Sequence, residues 1–126
     1  MLYLKTRYFA RWARREGITD SALCEAIREF ENGLFDADLG NHLFKKRIAL
    51  PGRGKSGGAR TILFYQREEK IIFCLGFAKN VKDNLDENEK KALDRLSRNL
   101  LEFSPADLDE LIKSGELFVL RTEEEK

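Results

Sequence analysis

The sequence is poor in the residues that build metal centres and nucleophilic catalytic sites. Its 126 residues include two cysteines, Cys24 and Cys74, and one histidine, His42. Neither cysteine has metal-ligand spacing around it and both lie in apolar runs, so we expect two reduced thiols in the core and no metal site. These spacings also give no support for a Ser–His–Asp or Cys–His catalytic arrangement.

Long apolar runs are also missing. No segment approaches the roughly 18 apolar residues that a membrane-spanning helix needs. The first residues, MLYLKTRYFARWARRE, lack the continuous apolar segment of a secretory signal. We therefore expect a cytoplasmic protein with no membrane partner. Apolar residues make up 42% and charged residues 36% of the chain, a composition typical of one folded domain over residues 1–126.

Acidic residues are absent from one long segment of this nearly neutral chain. Between His42 and Tyr65 there is no Asp or Glu, but there are six basic residues: Lys45, Lys46, Arg47, Arg53, Lys55 and Arg60. Residues 1–83 carry 16 Lys and Arg against 10 Asp and Glu, whereas residues 84–126 carry 7 against 12. Clustered cations repel one another, and an anionic partner relieves that repulsion. The pattern favours a polyphosphate such as a nucleic acid.

Hydrophobic periodicity and capping residues predict the order β-α-α-β-β-β-α-α, with a final extended piece over 116–120. The segment 34–41 is expected to be a turn-rich linker, and 51–59 a loop between two strands. The expected fold is α+β, with a small antiparallel sheet and helices packed on one face. The predicted elements are a strand over 2–5, helices over 6–15 and 19–32, strands over 43–50, 60–66 and 70–77, a helix that begins after Asn84 or Asp86, and a short helix after Ser104.

Alternation along the strand 43–50 predicts which of its side chains face the solvent. Lys45 and Arg47 share one face, and Phe44 and Ile48 share the other. The second set is apolar and is expected to face the core, with Lys46 as an anomaly on that side. The open face of the sheet is therefore expected to carry a basic cluster.

The glycine-rich segment GRGKSGG superficially resembles a nucleotide-binding loop. A Walker loop needs a glycine where this chain has Ala49, and it needs a helix after the Lys-Ser pair, where a strand is expected here. The segment can still bind a phosphodiester through its backbone N–H groups, with Arg53 and Lys55 supplying charge. The alternative is a flexible hairpin loop whose charges are incidental.

Two further cations are expected to converge near this segment. Arg60 begins the second strand of the predicted meander and Lys79 follows the third, so antiparallel pairing brings them together if the register is right. Arginine is well suited to bidentate phosphate contact. His42 is a candidate acid or base because its unperturbed pKa suits proton transfer near neutrality, although a surface turn histidine is the alternative.

These residues resemble the RelE/ParE superfamily of toxins from type II toxin–antitoxin systems, in particular the HigB-like, RelE-type branch. The resemblance rests on the basic strand 45–47, on Gly-Lys-Ser-Gly-Gly-Ala-Arg at 54–60, and on Ala-Lys-Asn at 78–80. It extends from about Thr6 to Glu116.

The resemblance implies a metal-independent endoribonuclease without a cofactor that cuts mRNA on the ribosome and thereby inhibits translation. A ribose 2′-OH would attack the adjacent phosphate and leave a 2′,3′-cyclic phosphate. Arg60 and Lys79 are then the catalytic candidates. Ribosomal RNA and a cognate antitoxin, expected to carry a helix-turn-helix domain, are the implied partners. The residues expected to bind RNA are Lys45, Lys46, Arg47, Arg53 and Lys55.

The chain also departs from the family pattern. Many RelE-type toxins use a tyrosine near the end of the fold, and this chain has none after Tyr65. General acid–base work would then fall to a lysine, to His42 or to the ribosome. Two alternatives stay open: a gyrase inhibitor of the ParE type on the same fold, and an RNA-binding module without catalytic activity.

Overall fold

The protein forms four helices and six strands within the residues described by a computed structural model, which are 1–50, 52, 54–78 and 84–121. For residues 54–57 only the backbone is described. The elements in chain order are β1 (Leu2–Thr6), α1 (Arg7–Glu16), α2 (Asp20–Glu31), β2 (Ala37–Gly40), β3 (Leu43–Leu50), β4 (Gly54–Gln66), β5 (Lys70–Ala78), α3 (Glu87–Glu102), α4 (Pro105–Lys113) and β6 (Leu117–Val119).

The predicted helices begin at the residues whose side chains cap them. Thr6 accepts a hydrogen bond from the backbone N–H of Phe9, and Thr19 accepts one from Ala22. Asp86 and Ser104 each complete a capping box with an acidic residue three positions later. These bonds satisfy N–H groups that the first helical turn leaves without intrahelical partners. The helix starts are therefore encoded locally, and their prediction is confirmed.

The six strands form one mixed sheet in the order β2-β3-β4-β5-β1-β6. The α+β class is confirmed, but the expectation of a purely antiparallel sheet is wrong, because β1 pairs with β5 in parallel. The chain reaches this pairing only after α1, α2 and the β2–β5 meander have intervened. Local turn signals carry no information on such a long-range contact.

Helices cover both faces of the sheet, so the predicted one-sided packing is also wrong. Leu63 and Phe73 belong to a core with α1 and α2, whereas their chain neighbours Ile62 and Ile72 belong to a second core with α3 and α4. Alternate side chains of a strand point to opposite faces. Because both sets of side chains are apolar, these strands are buried on both faces of the sheet.

Two segments predicted as irregular contain strand. The expected linker 34–41 includes β2, which pairs with β3, and the expected loop 51–59 is mostly the beginning of β4. Leu50 pairs with Gly54, so the connection between β3 and β4 is short. Glycine and polar residues lower strand propensity, but cross-strand hydrogen bonds override that preference here.

Helix α1 lies very close to β5 at Gly76. A Cβ atom built on Gly76 would lie 2.3 Å from the Trp12 ring, so this position accommodates no side chain. The close approach holds the C-terminal half of α1 beside the last residues of β5. It thereby fixes where the exposed face of α1 lies relative to the end of the sheet.

Candidate nucleic-acid interface

Pairing of β3 with β4 brings two arginines side by side. Arg47 and Arg60 are direct partners across the two strands, and Lys45 lies opposite Ile62 two residues away. Arg47, Lys45 and Leu43 alternate onto the face that α3 covers, since Leu43 and Ile62 both belong to the core of that face. Like charges directly opposite one another destabilise a sheet. We name Lys45, Arg47 and Arg60 the strand cluster.

Arg60 lies beneath the surface, not in an open cleft. It is 1% exposed, and β4 is flanked by β3 and β5, with Phe77 as its partner residue on β5. The sequence predicted a basic cluster on an open face, and for Arg60 that expectation is wrong because its side chain is almost fully buried. A guanidinium in such surroundings acts through a low local dielectric, where its field on nearby charge is stronger than in water.

Arg47 and Lys45 occupy the accessible side of the strand cluster. The Arg47 side chain is 45% exposed, and its Nε donates to Asp36 Oδ2 at 3.0 Å. Lys45 Nζ donates to the amide oxygen of Asn84, also at 3.0 Å. Sequence reasoning missed both partners, because Asp36 comes from the segment before β2 and Asn84 from the approach to α3. Their contacts are set by strand pairing and helix packing.

Lys46 belongs to the opposite face. It is 3% exposed, and its Nζ lies 2.8 Å from Oε1 of Glu29 on α2. A buried charge is tolerated when it is paired in this way. The anomaly noted in the sequence is thus a cation that anchors α2 to the sheet. This placement favours a structural role for Lys46 over the predicted contact with RNA.

Three of the predicted site residues lie wholly or partly outside the described residues. Arg53 and Lys79 are outside them, and for Lys55 only the position in β4 is described. Ala78, which precedes Lys79 in the chain, pairs with Ala59, which precedes Arg60. The convergence of Arg60 and Lys79 stays a prediction.

His42 lies away from the strand cluster. It occupies the turn between β2 and β3 with a φ of 65°, and its Nδ1 lies 3.2 Å from the carbonyl oxygen of Tyr65. Five residues of extended chain separate it from Arg47, a span of roughly 16 Å. The structure does not bring His42 together with Arg60, so the geometry gives no support for its role as acid or base there.

Helix α3 holds the same turn in place. Asn41 donates to Asp94 Oδ1 at 3.1 Å, and the Ser97 hydroxyl donates to the carbonyl oxygen of Asn41. Hydrogen bonds from Lys90 and Asn41 to Asp94 lower the pKa of that carboxyl below its ordinary value. The β2–β3 hairpin is thereby fixed to α3, which positions β3 and its cations.

The cysteines are the core thiols that the sequence predicted. Cys24 and Cys74 are both buried, and they form no disulfide. Burial raises the pKa of Cys74 to about 12, which keeps the thiol protonated at neutral pH. Within residues 1–50, 52, 54–78 and 84–121, no group of three His, Cys, Asp or Glu side chains is arranged to hold a metal ion. In the same residues no helix is both long and apolar enough to cross a membrane.

Comparison with known proteins assigns the family. The model of the RelE toxin of the RelE/RelB toxin–antitoxin system matches residues 1–120, nearly the whole chain. A search of curated protein sequences found no significant match. The matched range includes all six strands, all four helices and the strand cluster. The chain therefore belongs to the RelE toxin family of toxin–antitoxin systems.

Proposed function

We propose that this toxin is an endoribonuclease that cuts mRNA on the ribosome and so inhibits translation in the cytoplasm. The observation that supports this most directly is the pairing of Arg47 with Arg60 on adjacent strands. Two arginines on paired positions of adjacent strands supply positive charge that suits a dianionic phosphorus centre, whose charge exceeds that of the ground-state phosphodiester. Within the family we assign the chain to the HigB-like branch, on its Gly-Lys-Ser-Gly-Gly-Ala-Arg and Ala-Lys-Asn segments.

The reaction divides among groups that hold charge and groups that move protons. The ribose 2′-oxygen loses its proton and forms a bond to phosphorus, while the bond from phosphorus to the 5′-oxygen breaks and that oxygen takes up a proton. The products are a 2′,3′-cyclic phosphate and a 5′-hydroxyl. Arg60 and Arg47 stabilise the charge that builds on the non-bridging oxygens. We propose Lys79 as the donor to the leaving oxygen, with the base supplied by another lysine or by the ribosome.

The burial of Arg60 supports dependence on the ribosome. A guanidinium that is 1% exposed is not in contact with solvent, so a phosphate reaches it only after a local rearrangement. Binding on the ribosome supplies free energy for such a rearrangement and orients the message at the same time. Free RNA supplies less binding energy, and we expect the isolated protein to cut it slowly.

Two kinds of partner follow from this function. Membership of the family implies a cognate antitoxin, and we propose that it carries a helix-turn-helix domain. The partly exposed Lys45 and Arg47, together with Arg53 and Lys55, are the proposed contacts to mRNA and ribosomal RNA. Lys46 is left out of this set because of its ion pair with Glu29.

The test is cleavage of a message by purified protein with and without 70S ribosomes, with new 5′ ends mapped by primer extension. We expect ends within codons for the wild-type protein on ribosomes. Arg60→Met keeps the volume of the side chain and removes its charge, and we expect it to lower the cleavage rate by about 100-fold or more. Arg47→Ala should lower it by about tenfold. Arg95→Met, on the exposed side of α3, is the matched control and should cleave normally.

Circular dichroism and thermal unfolding of each variant separate a lost charge from a lost fold. If Arg60→Met is unfolded, Arg60→Lys, which keeps the charge but not the planar fork, takes its place with the same expected direction. If the wild-type protein bound RNA but produced no new 5′ ends, the proposed nuclease activity would be wrong and an RNA-binding module without catalytic activity would be favoured. DNA breaks in cells without RNA ends would overturn the nuclease activity in favour of gyrase inhibition.

A further inference from the structure

Helix α1 carries a second set of cations away from the strand cluster. Its four arginines are all exposed, and at 100° per residue they fall within one sector of about 100° on the helix. Tyr8 lies at the edge of that sector and is 64% exposed. We name this set the arginine stripe: Arg7, Arg11, Arg14 and Arg15.

The spacing within the arginine stripe is unfavourable for an isolated helix. Arg11 has a like charge four residues away on each side, and such pairs destabilise a helix by a few tenths of a kcal/mol each. Arg7 forms an ion pair with Glu116 at 2.9 Å. Among the described residues, no ion pair is found for Arg11, Arg14 or Arg15. An anionic partner would relieve this repulsion.

The helix dipole does not account for the stripe. Cations in the last turn interact favourably with the C-terminal end of a helix, which explains Arg14 and Arg15. Arg7 lies in the first turn, where a cation is unfavourable, and Arg11 lies in the middle, where the dipole has little effect. The dipole therefore does not explain Arg7 and Arg11, which also belong to the arginine stripe.

The arginine stripe meets the end of the sheet that carries the strand cluster. A pocket of about 380 Å³ beside the end of β5 is lined by Trp12, Arg15, Glu16, Gly76, Phe77 and Ala78, so one carboxylate lies beside Arg15 there. Ala78 is the partner of Ala59, the residue before Arg60. A polyanion that leaves the strand cluster past the end of β5 therefore encounters Arg15 first and the rest of the stripe after it.

We infer that the arginine stripe binds the backbone of single-stranded RNA that extends from the proposed cleavage site. The path of the RNA in this inference rests on the proposed function, because it starts from the proposed cleavage site. The positive charge of the stripe does not depend on that function. All four cations are arginines, which bind phosphate through a planar fork. The exposed ring of Tyr8 offers a stacking surface for a base, which an acidic peptide would not need. RNA therefore fits the stripe better than an acidic protein segment.

The experiment measures binding of a 12-nucleotide RNA that carries a 2′-O-methyl group on every ribose, titrated at several salt concentrations. This probe has no 2′-OH, so it cannot be cut and reports binding alone. The variant Arg11→Gln/Arg14→Gln/Arg15→Gln keeps good helix formers and removes three charges. We expect the slope of log affinity against log salt to decrease in magnitude by about 2, because single-stranded RNA contributes about 0.7 per neutralised phosphate.

A matched variant, Arg67→Gln/Arg95→Gln/Arg98→Gln, removes three exposed charges elsewhere and should leave the slope nearly unchanged. Tyr8→Leu should weaken binding about tenfold with the slope unchanged, because stacking does not depend on counterion release. Equal slopes for the two triple variants would overturn the inference. The inference would also be overturned if the arginine-stripe variant bound the RNA normally and lost binding only to empty 70S ribosomes or only to the antitoxin.

The outcome is independent of the nuclease test. Suppose that the wild-type protein cuts no message on ribosomes while the arginine-stripe variant still shows the reduced slope of log affinity against log salt. In that case the proposed nuclease activity is wrong and the inferred RNA-binding surface is confirmed. If messages are cut and the slopes are equal, the nuclease stands and the inference fails.

Discussion

Strand β3 carries neighbouring cations that face opposite sides of the sheet, and their surroundings differ. Lys46 faces α2 and is paired with Glu29 at 2.8 Å, so its charge is used within the fold. Arg47 points to the other face, where its partner across the strand is another arginine, Arg60. A buried cation–carboxylate pair stabilises packing, whereas the pair of Arg47 with Asp36 is partly exposed and lies beside a second arginine, whose like charge costs stability. Charge density along the sequence does not separate these two roles.

We expect the largest effect from removing the carboxylate partner of Lys46, and we expect it on the free energy of unfolding. Glu29→Gln leaves the ammonium of Lys46 buried without its carboxylate, and removal of one partner of a buried pair costs about 3 kcal/mol or more. Urea unfolding should show this as a lower midpoint. The cleavage rate per folded molecule should be unchanged, because Lys46 and the strand cluster lie on opposite faces.

The double variant Lys46→Met/Glu29→Leu is the control for that prediction. Replacing both charges by apolar groups removes the desolvation cost together with the attraction, so stability should return close to that of the wild type. A double variant as unstable as Glu29→Gln alone would show that packing, not charge, dominates at this position.

A smaller effect is expected where the strand cluster is partly neutralised. Asp36→Asn removes a carboxylate that accepts from Arg47 at 3.0 Å but keeps an oxygen that can accept the same bond. We expect RNA affinity to rise a few-fold, since one charge at this distance in water is worth about 1 kcal/mol. Titration with the uncleavable RNA measures it. Asp109→Asn, on the exposed side of α4, should change nothing; an equal gain there would mean that only net charge matters.

The smallest expected effect is a pH dependence at the β2–β3 turn. Because hydrogen bonds lower the pKa of Asp94 in the folded protein, its contribution to stability is present above its unfolded pKa, close to 3.8. That contribution is lost as the pH falls through the lower folded value. Asp94→Asn should abolish this pH dependence below about pH 4. NMR titration of the Asp94 carboxyl and of the Asn41 side-chain amide measures it, and a carboxyl that titrates at or above 3.8 would contradict the assignment.

The helices and the β3–β5 meander were predictable because their signals are local. Thr6, Thr19 and Ser104 cap helices through hydrogen bonds to residues three positions away. Strand β3 likewise has the predicted bounds. What local signals could not supply was β1 beside β5, the strand β2 and the second layer of helices. These depend on contacts between residues that are far apart in the sequence.

The candidate site shows the same division. Alternation along β3 correctly separated Arg47 from Lys46, and meander pairing placed Arg60 in the same region as Arg47. The burial of Arg60 was not predicted, because it depends on tertiary packing at a face that was expected to be open. The partners Asp36 and Asn84 were missed for a related reason, since no spacing rule joins them to β3.

The sequence by itself determined where the helices begin, which residues of β3 share a face, and that positive charge is concentrated in residues 42–65. Each of these depends on neighbours within a few residues, through capping, alternation and composition. Only the tertiary structure decided which of the clustered cations is buried in an ion pair and which lies beside another cation. That outcome depends on which distant element packs against each face: α2 brings a carboxylate to Lys46, whereas the pairing of β3 with β4 brings Arg60 to Arg47.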